Sequence, residues 1–130
     1  MLDLIIKNGS CYINKDLKDQ DIAIKDGKII KIGKIDSEAK ETFDAKGLTV
    51  LPGCIDTQTH FREPGSTDTE DLHSGSRAAI VGGITSVFEM PNTNPPTSTK
   101  VEFQKKLDLA KNRMYCNYAF YFGATADNAS

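Results

Sequence analysis

By their pattern of hydrophobic and polar residues, the first fifty positions read as a run of short β-strands, and the pattern changes after Val50. Residues 2 to 7, Leu-Asp-Leu-Ile-Ile-Lys, read as a strand that stops at Asn8-Gly9. Asp21 to Lys25 and Lys28 to Ile32 alternate on either side of Asp26-Gly27, a strong local signal for a β-hairpin. A short strand around Thr42 to Ala45 follows, with Lys46-Gly47 as a turn. No helical period of any length appears here, so residues 1–50 are expected to form a β-rich N-terminal part.

From Thr49 to about Thr59 the pattern predicts one central strand, apolar at its start and polar at its end. A loop then leads to a helix expected to begin near Thr67 to Glu70, where Thr67-x-x-Glu70 has the form of a capping box. Leu72, Ala79 and Ile80 give that helix a weak apolar stripe, and Gly82-Gly83 ends it. Ile84 to Met90 reads as an apolar strand closed by Pro91. Thr99-x-x-Glu102 opens a second helix, with Phe103, Leu107 and Ala110 on one face and an end near Asn112. Cys116 to Phe122 is a third strand. Strand, helix, strand, helix, strand predicts parallel strands joined by right-handed crossovers, an α/β arrangement over residues 51–130.

Composition narrows the function classes. At 130 residues, 38% hydrophobic and 26% charged, the chain can bury a core. A net charge of -2 gives no basis for nucleic acid or an anionic membrane as partner. Neither an apolar run near 18 residues nor a signal-peptide pattern is present, and a cytoplasmic location is expected. The cysteines, Cys11, Cys54 and Cys116, are three and far apart, so no disulfide framework is expected. Cys54 and Cys116 lie in apolar patterns and are expected to be buried. Lys100, Lys105, Lys106, Lys111 and Arg113 read as the solvated face of a helix.

Candidate chemistry concentrates in Leu51 to Gly65, Leu-Pro-Gly-Cys-Ile-Asp-Thr-Gln-Thr-His-Phe-Arg-Glu-Pro-Gly. On extended backbone Asp56, Gln58, His60 and Arg62 share one face. An acid, an amide, an imidazole and a guanidinium together at a strand's end suit a site better than a core, although an edge strand with a solvated face has the same pattern. Glu70, Asp71 and His73 read as capping and surface groups at a helix start, where acids meet the helix dipole favourably.

This stretch resembles the metal-binding strand of the cyclic amidohydrolases, Asp-x-His-x-His followed by a substrate loop. Phe61-Arg62-Glu63-Pro64-Gly65 is similar to dihydroorotases in particular. Ser74-Gly75-Ser76-Arg77-Ala78-Ala79, Gly82-Gly83-Ile84-Thr85 and Met90-Pro91-Asn92-Thr93-Asn94-Pro95 match in order and spacing. The resemblance covers nearly the whole chain, with one departure: Gln58 stands where the first histidine of the pair is expected.

The resemblance implies a partial β-sandwich over residues 1–50 and the first two to three βα units of a TIM-like barrel over 51–130. A full (β/α)₈ barrel needs about 250 residues, so the barrel is expected to be incomplete and the chain alone inactive. It implies zinc as cofactor with His60 as a metal ligand, in a site weakened by Gln58. It further implies Arg62 and Asn92 as the grip on the carboxylate of dihydroorotate or N-carbamoyl-aspartate, a pairing that allantoinases and hydantoinases do not share. Both are expected to face one cavity at the ends of adjacent strands. A surface salt bridge from Arg62 to Glu63, and a simple turn at Asn92, are the alternatives, but the two residues occurring together in the right blocks favour binding. No catalytic residue is assigned. The alternative function is a catalytically silent dihydroorotase-like subunit supporting aspartate transcarbamoylase; a homo-oligomer is the other protein partner considered.

Overall fold

The computed structural model describes residues 1–128; residues 129 and 130, the tail of the expected βα region, lie outside the described residues. The chain divides into two compact units, Met1–Pro52 and Gly53–Ser130.

The first unit is a five-stranded sheet of β1 (Leu2–Ile13), β2 (Asp16–Lys25), β3 (Lys28–Gly33), β4 (Ala39–Asp44) and β5 (Thr49–Val50). The order is β3-β2-β1-β4, with β5 also on β1. β1, β2 and β3 are antiparallel neighbours, whereas β4 and β5 run parallel to β1. Asp26 and Gly27 have φ of 51° and 70°. Two left-handed residues give the turn the twist a two-residue hairpin needs.

The first strand does not stop at Asn8-Gly9. It continues to Ile13 through a register shift between Ile6 and Gly9. Gly9 is required by proximity: a Cβ there would lie 2.6 Å from Val50 Cγ2 and 3.1 Å from the Ala45 Cβ. Ile5, Ala23 and Ile35 form the small core, with Leu2 and Ala39 against it.

The second unit contains β6 (Cys54–Thr59), α1 (Leu72–Val81), β7 (Ile84–Glu89), α2 (Lys100–Ala110) and β8 (Asn117–Phe120). Its sheet order is β6-β7-β8, and both pairings are parallel, as the strand–helix alternation predicts. Phe61, Leu72, Val87, Ala110, Cys116 and Phe120 form its core, joined by Phe103 and Leu107 from α2.

Three local expectations are corrected. The single strand expected over 49–59 is two, because Leu51-Pro52-Gly53 interrupts it. Pro52 has no N–H to give a ladder, and a Cβ on Gly53 would collide with the Thr85 side chain. Cys54, at the start of β6, is exposed, while Cys116 is buried and its thiol pKa is raised by that burial. The first helix begins at Leu72 with Asp71 as its cap: Asp71 accepts from the Ser74 N–H at 2.6 Å, and Ser74 Oγ accepts from the Asp71 N–H at 3.2 Å. The Thr67 to Glu70 stretch forms turns instead, with Ser66 N–H bonded to Arg62 C=O at 3.0 Å. The second helix starts as predicted, Thr99 Oγ1 accepting from the Glu102 N–H at 3.1 Å. Among the described residues no helix is long and apolar enough to cross a membrane.

Candidate functional site

The C-terminal ends of β6 and β7 lie side by side. Thr59 is in register with Glu89, and the Met90 N–H reaches the Thr59 carbonyl at 2.9 Å. The residues just beyond these ends meet: His60 Nδ1 is 3.0 Å from Asn92 Oδ1. With the amide oxygen as acceptor, Nδ1 is the donor in this contact, and the neutral ring in that tautomer has its lone pair on Nε2. Asn92 retains both hydrogens of its Nδ2 as donors.

The shared face expected for Asp56, Gln58, His60 and Arg62 does not extend to Arg62. The strand ends at Thr59, and Arg62 adopts a left-handed φ of 59° in the loop that follows. Its side chain is exposed and makes no hydrogen bond or ion pair among the described residues. Asp56 turns back on its own strand, accepting from the Gln58 N–H at 2.9 Å. Gln58 is exposed.

Glu63 is not the partner of Arg62. It is buried and gripped by Arg113, with Nη1 and Nη2 at 2.8 Å and 3.1 Å from its two oxygens. The same carboxylate accepts the Leu72 N–H at 2.9 Å, at the start of α1. Arg113 Nη2 also lies 3.9 Å from Asp71, and the guanidinium pKa is raised chiefly by its hydrogen bond to Glu63. Glu63 is thus held by Arg113, and the neighbouring Arg62 has no side-chain partner among the described residues. The second histidine, His73, is exposed and meets the Tyr115 hydroxyl at 3.2 Å.

The pair that sequence reasoning missed is Glu89 and Lys106. Lys106 was expected on a solvated face, yet it is fully buried, its Nζ 3.7 Å from Glu89 Oε1. Nζ also donates to the Met90 carbonyl at 3.1 Å and lies 5.2 Å from the Phe120 ring centre. Glu89 accepts the Phe61 N–H at 3.0 Å and the Thr59 hydroxyl at 2.9 Å. Burial raises the Glu89 pKa and lowers that of Lys106, each effect opposed by the other's charge. The sequence signal was a lone acid ending an otherwise apolar strand, Val87-Phe88-Glu89.

A zinc site normally takes four N, S or O ligands. Among the described residues no group of three or more His, Cys, Asp or Glu could hold a metal ion. The chain brings one imidazole to the strand ends, so its described residues do not by themselves fit a zinc site.

A family model described as the amidohydrolase family matches residues 49–128. The chain is 42% identical over 127 residues to an allantoinase of Escherichia coli O1:K1 / APEC, covering 97% of this chain and 28% of that protein. It is 43% identical over 129 residues to a dihydroorotase of Methanosarcina mazei, covering 98% of this chain and 28% of that protein. The L-hydantoinase structure from Arthrobacter aurescens superposes with a TM-score of 0.90 at 36% identity, over 98% of this chain and 29% of that one. The chain thus spans less than a third of the length of the relatives it matches, corresponding to their β-rich N-terminal part and first βα units. Members of this family are generally metal-dependent. With the model match running through most of the chain, the protein belongs to the amidohydrolase family.

Proposed function

We propose that the chain is the N-terminal part of a dihydroorotase-like cyclic amide hydrolase, interconverting dihydroorotate and N-carbamoyl-aspartate in pyrimidine synthesis. The observation that carries this reading is the set of donors left over at the strand ends. Asn92 has its oxygen engaged by His60, and its Nδ2 makes no hydrogen bond among the described residues. Arg62 stands in the adjoining loop with its guanidinium uncommitted, because Arg113 holds Glu63. A planar fork and an amide N–H group suit a carboxylate, and dihydroorotate has one where allantoin and hydantoin do not. His60 is proposed as one zinc ligand, through Nε2 of its neutral ring, beside donors from outside the described residues; no step through the metal is derived from these residues.

A second reading is favoured by Gln58: a silent subunit that has kept the fold of the site without its full ligand set. One experiment separates the two. In the full-length protein, Arg62→Met should weaken dihydroorotate binding by about 10- to 100-fold, the worth of a charge-assisted hydrogen bond, and leave an uncharged hydantoin unaffected. Equal losses for both ligands would remove Arg62 as the carboxylate grip. Absence of dihydroorotate binding before any substitution would favour the silent subunit.

A further inference from the structure

We propose that Glu89 and Lys106 are a positioning pair that fixes the two strand ends presenting His60 and Asn92, whichever substrate the site takes. The ladder between β6 and β7 has its last matched residues at Thr59 and Glu89. Past that point the segment after β6 has no sheet partner among the described residues, yet His60 is the next residue. The Glu89 carboxylate takes over where the ladder stops. It accepts the Thr59 hydroxyl on one side of His60 and the Phe61 N–H on the other. Lys106 reaches across from α2 to the same carboxylate and to the Met90 carbonyl, two residues before Asn92. The two charged groups therefore brace the backbone on both sides of the His60–Asn92 contact.

Core filling alone does not account for them. Two buried charges carry a desolvation penalty that apolar side chains of similar volume avoid, and such replacements are often neutral or stabilising. An apolar side chain cannot accept the Phe61 N–H. The backbone acceptor beside His60 is what the carboxylate adds.

The test compares the 130-residue chain with two double variants. Glu89→Leu with Lys106→Met removes both charges and the acceptor. Glu89→Gln with Lys106→Met removes the charges and keeps an acceptor oxygen. Thermal unfolding reports the fold, amide hydrogen exchange reports Phe61, and the ring-nitrogen shifts of His60 at one fixed pH report its contact with Asn92. The chain has two histidines, so His73→Asn assigns the signals.

Positioning predicts that the apolar double keeps cooperative unfolding while Phe61 exchange speeds up about 10- to 100-fold, the range expected for losing a hydrogen bond to a charged group. The His60 shifts should move with it, and the glutamine double should restore most of both. If the apolar double keeps Phe61 protected and the His60 shifts unmoved, the proposal is wrong. If both doubles lose protection throughout the second unit, the pair is needed for folding itself, and positioning is equally overturned.

Discussion

Lys106→Met should be among the most damaging single substitutions in the second unit, costing roughly 3–5 kcal/mol in chemical denaturation, the range seen when one partner of a buried ion pair is removed. The methionine fills much of the lysine's volume, so the loss is not a cavity effect. It comes from Glu89, 1% exposed and left without its counter-charge. The contrast is Lys105, one residue earlier, whose side chain is 63% exposed and paired to Glu102 at 2.9 Å; exposed pairs contribute about 0–1 kcal/mol. The pH dependence has a definite sign. The charges facing Glu89 are Lys106 and His60, and burial already raises its pKa above the ordinary 4.5. A carboxyl with a raised folded-state pKa holds its proton longer folded than unfolded. Stability therefore falls as pH rises from the unfolded value through the folded one. Removing Lys106 widens that window, so the deficit should be smaller at pH 5 than at pH 8. A deficit under about 1 kcal/mol, or one that grows toward acid, would mean that the buried charge is not the cause.

Glu63→Ala should cost roughly 1.5–3 kcal/mol, the worth of a hydrogen bond to a charged group. One carboxylate serves three purposes: it receives the Arg113 fork, accepts the Leu72 N–H, and anchors the loop directly behind Arg62. Arg113 is 35% exposed and can rehydrate, which keeps the figure below that for Lys106. Glu63→Gln should fall between wild type and alanine, because an amide oxygen still accepts from Leu72. If the alanine variant unfolds at the wild-type denaturant concentration, the fork is ornamental.

What the sequence revealed depended on how far apart the determining residues lie. Asp26-Gly27 identifies its hairpin because a two-residue turn is decided locally. Thr99 and Glu102 identify a helix start for the same reason. Asn8-Gly9 misleads because the glycine answers to Val50 and Ala45, which press on it from across the sheet. Thr67 with Glu70 has the capping-box pattern in the sequence, but the helix is capped by Asp71, and the next residue, Leu72, gives its N–H to the buried Glu63. The 49–59 stretch misleads because its apolar start and polar end fit one strand, while Pro52 and Gly53 divide it.

The site divides in the same way. His60 and Asn92 were legible from their motifs, and the structure brings them to 3.0 Å. Arg62 belonged to the same motif, yet its placement beyond the strand end depends on backbone geometry that alternation cannot foresee. Glu89 and Lys106 are 17 positions apart and read separately as a strand end and a helix surface. Only the packing of α2 against the sheet turns them into a pair.

A lysine without solvent contact also gives this molecule a chemical record of its own opening. Acylating reagents reach exposed amines such as Lys40 and Lys105 in the native state, but reach Lys106 only when its cover parts. The first such hit neutralises the ammonium, adds bulk that the closed core has no room for, and leaves Glu89 bare. A momentary fluctuation would thereby become permanent, and among reactive acyl donors this chain would age at the rate at which it breathes.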